Sequence, residues 1–267
     1  MLLITIIWFA CGLFVGSFLN VVVERLHAGK DFVRGRSQCP YCHKKLGAME
    51  LIPLFSWLAQ SGRCRGCKKP ISPQYPLSEL TTAILFAISY LALHPSGLLE
   101  LALFAIWLYI LSSFIILSIY DLKWYLLPDS VLLPLIVPAL VLAAIHAYLA
   151  GSWQVLIGPL LAGLIFGGFF YSLAAVSRGR WMGGGDIKLA FIMGLILGLQ
   201  KTALAMLVAF NAAAIVGVFL ILVKRKKRAD HIPFGPFLMA GTTVAYLWGG
   251  DIIHWYVNSA GLYLLVT

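Results

Sequence analysis

Long apolar runs, nearly free of charge, follow one another along almost the whole chain. They cover residues 2–23, 77–93, 101–120, 130–149, 155–176, 187–200, 202–223 and 234–250. A helix of roughly 20 apolar residues crosses about 30 Å of hydrocarbon, so most of these runs are long enough to span a bilayer. Run 187–200 would be about 21 Å long as a helix and is expected to be a short or tilted span. The runs predict an all-α polytopic membrane protein with about eight transmembrane helices.

The composition excludes a soluble globular domain. Hydrophobic residues make up 61% of the 267 residues, charged residues only 11%, and the mean hydropathy is +0.92. The first run lacks a basic leader and a small-residue cleavage site, so it is expected to remain as a span rather than to be removed as a signal peptide.

The basic residues predict the orientation of the chain. Ten lie between Arg25 and Lys69, one is Lys123, three lie within 178–188, and five form the cluster KRKKR at 224–228. With eight spans and the N-terminus outside, these 19 of the 20 basic residues fall on the cytoplasmic side, where positive charge is retained. The 224–228 cluster is interpreted as a topology anchor near anionic lipid headgroups, not as a nucleic-acid site.

Residues 24–76 form the one sizeable polar segment, between the first and second spans. A segment of about 50 residues rarely builds an adequate hydrophobic core alone, so a metal site or disulfides are expected to stabilise it. Four cysteines in the segment could provide either. Cys39 and Cys42 form one CxxC pair and Cys64 and Cys67 another, with 21 residues between the pairs. Two such pairs are typical of a structural Zn²⁺ site, and a cytoplasmic location disfavours the alternative of two disulfides.

These features divide the chain into three predicted parts. Residues 1–23 form the first transmembrane helix, residues 24–76 a zinc-ribbon-like cytoplasmic domain, and residues 77–267 a helical transmembrane bundle. Four thiolates would leave no open coordination position on the metal. The zinc is therefore expected to hold the domain together rather than to act on a substrate.

Three aspartates lie at the predicted cytoplasmic ends of spans. Asp129 follows a proline and precedes an apolar run, the setting of a helix N-cap. Asp121 closes span three, where the helix dipole disfavours negative charge, although a pair with Lys123 is a plain alternative. Asp186 opens span six after three glycines, Gly183 to Gly185. These glycines either form a capped turn or let an extended peptide approach the carboxylate.

Asp121 and Asp186 are more informative together than separately. They lie on different spans but at the same membrane face, so the folded bundle can bring them together. Aspartic proteases use two carboxylates that share one proton. One carboxylate activates water, and the other protonates or hydrogen-bonds the scissile carbonyl. Ionisable residues at membrane depth are functional candidates by default.

The chain resembles the bacterial type IV prepilin peptidases, bifunctional leader peptidases and N-methyltransferases of the GxGD aspartic protease class. Besides the two CxxC pairs, the matching stretches are GSFLNVVVERL at 16–26, YPLSEL at 75–80, DLKWYLLPD at 121–129, MGGGDIKL at 182–189 and IPFGPFL at 232–238. Each stretch alone is weak evidence for the family. Their order and the hydropathy between them make the resemblance specific. In GGGD the variable position is a glycine, where relatives often carry a bulkier residue.

The resemblance implies that Asp121 and Asp186 are the catalytic pair. It implies that the substrate is a type IV prepilin or pseudopilin, cut on the cytoplasmic side between a basic leader and an apolar helix. The new N-terminal residue would be methylated with S-adenosylmethionine, an activity that the family associates with the zinc-bearing domain. No glycine-rich nucleotide loop of the dinucleotide-binding type is present, so residues that bind the methyl donor are not predicted.

Two functions from other classes remain open. A proton-coupled transporter could use Asp121 and Asp186 as a proton relay, but it would place polar residues along the span interiors, whereas here they cluster at the cytoplasmic ends. A catalytically silent scaffold could use the zinc ribbon to bind proteins. The preferred interpretation is a multi-pass enzyme of the bacterial inner membrane, in contact with lipid and prepilins and with no nucleic-acid partner.

Overall fold

A computed structural model describes residues 1–31, 35–223 and 232–259. In these ranges the chain forms helices, short 3₁₀ turns and two isolated β-bridges, and no extended strand. The α-helices are α1 (Leu2–His27), α2 (Phe55–Ala59), α3 (Gln74–Leu93), α4 (Leu98–Trp124), α5 (Asp129–Leu132), α6 (Ile136–Leu149), α7 (Ile157–Val176), α8 (Gly184–Leu222) and α9 (Gly235–Ser259).

Six helical stretches among the described residues are long and apolar enough to cross a membrane. They are Leu2–His27, Gln74–Leu93, Leu98–Trp124, Asp129–Leu149, Trp153–Val176 and Gly184–Leu222. In hydrocarbon every backbone polar group must be satisfied internally, which only helices achieve for single segments of this composition. The prediction of an all-α polytopic membrane protein is confirmed.

Eight spans were predicted, and six stretches are found in the described part of the chain. The difference arises because α8 contains two of the predicted runs and α9 is not among the six. Helix α8 is interrupted at Gly198, whose φ of 70° and ψ of −179° are not helical. The Thr202 hydroxyl lies 3.5 Å from the Met193 carbonyl oxygen, whereas nine residues of continuous helix would separate them by about 13.5 Å. The chain therefore turns back at Gly198, two residues before the predicted end of the run 187–200.

The last predicted run, 234–250, lies within α9. This helix is not among the six stretches, because glycines, threonines and Asp251 dilute its apolar residues. The basic cluster at 224–228, interpreted above as a topology anchor, lies outside the described residues.

The chain divides into two compact units, residues 1–116 and 117–267. In the first unit, α1 packs closely against α3 through two glycines. A Cβ atom on Gly12 would lie 2.5 Å from the Ala83 Cα atom, and one on Gly16 would lie 2.7 Å from the Glu79 Cα atom. Small residues allow membrane helices to approach in this way.

The second unit is built around α8, which packs against α7 on one side and α9 on another. A Cβ atom on Gly194 of α8 would lie 2.3 Å from the Gly163 nitrogen of α7. A Cβ atom on Gly241 of α9 would lie 2.3 Å from the Ala205 carbonyl oxygen of α8. These close backbone approaches fix α8, which carries Asp186, against α7 and α9.

Candidate functional site

The four predicted cysteine ligands come together in the first unit. All four Sγ atoms lie within 4.8 Å of one another. The Sγ atoms of Cys39 and Cys67 are 3.8 Å apart, and those of Cys42 and Cys64 are 4.0 Å apart. Tetrahedral zinc with bonds of about 2.3 Å to sulfur requires sulfur–sulfur distances of about 3.8 Å. The geometry of the cluster fits a zinc ion.

The two CxxC loops repeat the same backbone pattern 25 residues apart. In each loop the N–H group of the first cysteine donates to a carbonyl five residues later, and its own carbonyl accepts an N–H group from four residues later. The donor–acceptor pairs are Cys39 to Lys44, His43 to Cys39, Cys64 to Lys69 and Lys68 to Cys64, at 2.9–3.0 Å. Such paired turns are the expected scaffold of a closed, structural metal site.

The backbone also favours the thiolate form of one ligand. The N–H groups of Cys67 and Gly66 lower the pKa of the Cys64 thiol to about 7, and the Gly66 nitrogen lies 3.4 Å from the Cys64 sulfur. Metal binding requires deprotonated thiols. The loop thus favours the thiolate at Cys64, whereas desolvation and the other three sulfurs raise the pKa of the Cys42 thiol to about 11 when no metal is bound.

Asp121 occupies the last turn of α4 and is held by the first residue of α9. Its Oδ2 atom accepts the Gly235 N–H group at 3.1 Å, and the residue is only 6% exposed. The positive end of the α9 dipole therefore faces this carboxylate. This contact offsets the unfavourable C-terminus of α4, and no local sequence pattern around Asp121 indicates it.

Asp186 is the third residue of α8, and Gly183 is the N-cap of that helix. The Asp186 N–H group donates to the Gly183 carbonyl oxygen at 3.2 Å. The Asp186 side chain is partly buried and lies close enough to Asp121 to interact with it electrostatically. The structure thus places the two aspartates that the sequence singled out within electrostatic reach of each other in the second unit.

The three glycines before Asp186 have different surroundings. A Cβ atom on Gly185 would lie 2.8 Å from the Leu127 Cβ atom, so this position has no room for a side chain. A Cβ atom on Gly184 would meet nothing within 4 Å, and one on Gly183 would make only an ordinary contact of 3.8 Å with Asp186. Sterics require glycine only at 185, while the open space lies at 184.

Asp129 is not the N-cap that the sequence suggested. Pro128 occupies the N-cap position of α5, and no side-chain capping hydrogen bond forms there. Both Asp129 carboxylate oxygens instead accept from the Lys188 ammonium group at 2.7 Å. This ion pair joins α5 to the first turns of α8. Both side chains are about half exposed, so the pair contributes little stability.

Glu79 has a role that the sequence did not reveal. It is the sixth residue of α3 and only 7% exposed. Its Oε2 atom accepts the Leu54 N–H group at 2.7 Å. No sequence signal indicates this contact, because the donor is a backbone group 25 residues earlier.

Comparison of the sequence with known proteins identifies the family of the chain. The model of the bacterial peptidase A24 N-terminal domain matches residues 10–93, and the model of the type IV leader peptidase family matches residues 107–221. Among curated relatives, the prepilin leader peptidase/N-methyltransferase of Aeromonas hydrophila is 34% identical, over 94% of this chain and 93% of its own.

Two further relatives carry the same name. The Bacillus subtilis protein is 34% identical over 95% of this chain and 98% of its own length. The Pseudomonas aeruginosa protein is 33% identical over 94% of this chain and 92% of its own length. No solved structure matches the chain significantly.

Proposed function

The chain belongs to the prepilin leader peptidase/N-methyltransferase family, and from that membership we propose that Asp121 and Asp186 are the catalytic pair that removes the leader of a prepilin. As a member of this family it is a multi-pass inner-membrane peptidase with methyltransferase activity. Its substrates are type IV prepilins or pseudopilins. The scissile bond follows a short basic leader and precedes an apolar helix.

One observation carries the proposal more than any other. Asp121 and Asp186 are 65 residues apart in the chain, yet they interact electrostatically at the ends of two different helices. Two adjacent carboxylates can share a proton, so that one removes a proton from water while the other donates one to the scissile carbonyl. The attacking water then adds to the carbonyl carbon, and the peptide bond breaks as its nitrogen is protonated.

We assign the base to Asp186 and the shared proton to Asp121. Access to water supports this assignment, since Asp186 is only partly buried whereas Asp121 is 6% exposed. The helix dipoles do not distinguish the two, because each carboxylate lies at a helix N-terminus, Asp186 at α8 and Asp121 against α9. The pair titrates as a unit, so the roles describe its preferred protonation state.

Infrared spectroscopy near neutral pH tests these roles. A protonated-carboxyl band is expected to persist in Asp186→Asn and to disappear in Asp121→Asn. The reverse pattern would show that the two roles are exchanged.

We propose that Cys39, Cys42, Cys64 and Cys67 hold a zinc ion that stabilises residues 24–76, the part that serves methylation. The Sγ distances support a four-sulfur site with no open position for substrate. S-adenosylmethionine would supply the methyl group to the new N-terminal amine. We propose that the three predicted parts have separate roles. Residues 1–23 form the first membrane span, residues 24–76 serve methylation, and residues 77–267 carry the peptidase site.

We place the N-terminus outside and the carboxylate pair at the cytoplasmic face, since the positive-inside distribution of Lys and Arg supports this topology. Vesicles of defined orientation test both the activity and its side. Inside-out vesicles with added prepilin and S-adenosylmethionine are expected to release the leader and methylate the product. Right-side-out vesicles are expected to do neither until they are permeabilised. The absence of any cleavage in permeabilised vesicles would remove the peptidase assignment.

A further inference from the structure

An exposed apolar patch lies in the segment between the first two membrane helices. Its members are Met49, Leu51, Ile52, Phe55 and Leu58, which we call the 49–58 patch. Phe55 is 63% exposed and Leu58 57% exposed, and the two lie one turn apart on α2. A cluster of large apolar side chains on a polar segment marks an interaction surface more often than chance.

The opposite side of the same helix packs against the segment. The Trp57 indole N–H group donates to the Ile71 carbonyl oxygen at 3.2 Å, and the Trp57 ring packs against Gly62. The outer face of α2 is therefore formed by Phe55 and Leu58, two large apolar side chains that are mostly exposed.

A tight turn ties this patch to α3. The Phe55 N–H group donates to the Pro53 carbonyl oxygen at 2.6 Å across Leu54, whose φ of 61° and ψ of −53° form a strained γ-turn. The Leu54 N–H group is free to point away from the turn and donates to the Glu79 carboxylate at 2.7 Å. A buried carboxylate thus fixes a strained loop against a membrane-spanning helix.

The position of Glu79 places the patch beside the start of the second span. Glu79 is the sixth residue of α3 and the third residue of the apolar run that begins at residue 77. Leu54, which donates to Glu79, therefore lies beside the first turn of that run rather than beyond its end. Interfacial helices lie at such a boundary, with their apolar faces buried among the headgroups and the adjoining acyl chains.

The charges of the segment that carries the patch favour an anionic surface. Ten Lys and Arg residues lie between Arg25 and Lys69, against two acidic residues, Asp31 and Glu50. One of these acids, Glu50, is already paired with Lys44 at 3.1 Å. Basic residues next to an inserted apolar face add electrostatic attraction to anionic headgroups.

We propose that the 49–58 patch is an interfacial membrane anchor, inserted beside α3 into the headgroup–acyl boundary of an anionic bilayer. The metal-bearing segment would then be held on the membrane surface by three attachments, at α1, at the patch and at α3. The anchor does not depend on the catalytic pair and applies whether or not that assignment holds.

Depth-dependent quenching tests the anchor in the full-length protein. A fluorescent amino acid is placed by codon suppression at Phe55, at Leu58 or at Tyr41, which is a matched control because it is exposed to 55% and lies in a metal loop outside the patch. Each variant is reconstituted in vesicles of phosphatidylethanolamine and phosphatidylglycerol. Bound zinc is measured in each to confirm that the segment is folded.

Labels at 55 and 58 are expected to be quenched by a shallow doxyl lipid at least about threefold more than the label at 41, and to be shielded from aqueous iodide. The shallow quencher should exceed a quencher at the acyl-chain end. Equal quenching at 55, 58 and 41 would overturn the proposal. It would also be overturned if shielding from iodide appeared only after a prepilin was added, since the patch would then bind protein.

Discussion

At the residue scale, the proposed catalytic pair depends on backbone groups as much as on its own side chains. Asp121 could be identified from the sequence because it lies within the DLKWYLLPD stretch, and Asp186 because three glycines precede it. Their convergence at one membrane face was expected from the span order, but the way in which α4, α8 and α9 pack in the second unit could not be predicted. Gly235, whose N–H group binds Asp121, was part of a matching stretch, but a backbone donor 114 residues away leaves no sequence signal.

Gly235→Ala should impair cleavage strongly. The added Cβ atom would lie 2.7 Å from the Asp121 Oδ2 atom and would displace the carboxylate from its hydrogen bond. A displacement of about 1 Å in a catalytic group can reduce the rate on the order of 100-fold. Prepilin cleavage in detergent measures the effect, and Gly250→Ala in the same helix is the control, because its Cβ would meet nothing within 4 Å. Equal activity of the two variants would argue against a critical contact at Gly235.

At the element scale, the sequence predicted where helices lie better than how they pack. The polar segment, the paired CxxC loops and the short run before Gly198 all follow from hydropathy and spacing. The assignment of Asp129 as an N-cap was wrong because the local pattern of proline, acid and apolar run carries no information about Lys188, which is 59 residues away. The close approach of α7 to α8 was equally hidden, since any membrane span can contain glycine.

Gly194→Ala should destabilise the second unit. The new methyl group would lie 2.3 Å from the Gly163 nitrogen, so α7 and α8 would have to move apart. Overpacking of this kind costs about 1–3 kcal/mol, which should lower the midpoint of thermal unfolding in detergent. Gly168→Ala in α7 adds the same methyl group where nothing lies within 4 Å and should leave the midpoint unchanged. If both variants unfold at the wild-type temperature, the helices are less tightly packed than described.

Cys64→Ser should release zinc and reduce methylation more than cleavage. The substitution removes one of four sulfur ligands from the first unit, whereas Asp121 and Asp186 lie in the second unit. Cys11→Ser provides the control, because Cys11 lies in α1 outside the cluster. Bound zinc, leader release and methyl transfer are measured on the same membrane preparation. Equal loss of both activities in protein that remains inserted would show that the two activities are not separable.

At the scale of the whole molecule, the proposal assigns cleavage to the membrane bundle and methylation to the segment that holds the four cysteines. The all-α architecture and the family could be inferred from the sequence, because eight runs and several short motifs occur in one order. The arrangement of Glu79, the γ-turn at Leu54 and the 49–58 patch could not, since it depends on backbone hydrogen bonds between separate segments. The proposed anchor would keep the segment that holds the four cysteines at the membrane surface.

The central claim, that Asp121 and Asp186 act as one catalytic pair, is tested most directly by supplying both an uncut prepilin and an already processed pilin to the same variants. Asp121→Asn and Asp186→Asn should each lower cleavage by about 10²–10⁴-fold or more, and the double variant should be no worse than either single one. All three should still methylate the processed pilin, which shows that they are folded. Asp129→Asn, which removes only a half-exposed ion pair, should cleave at close to the wild-type rate. Normal cleavage by either single variant would contradict the account.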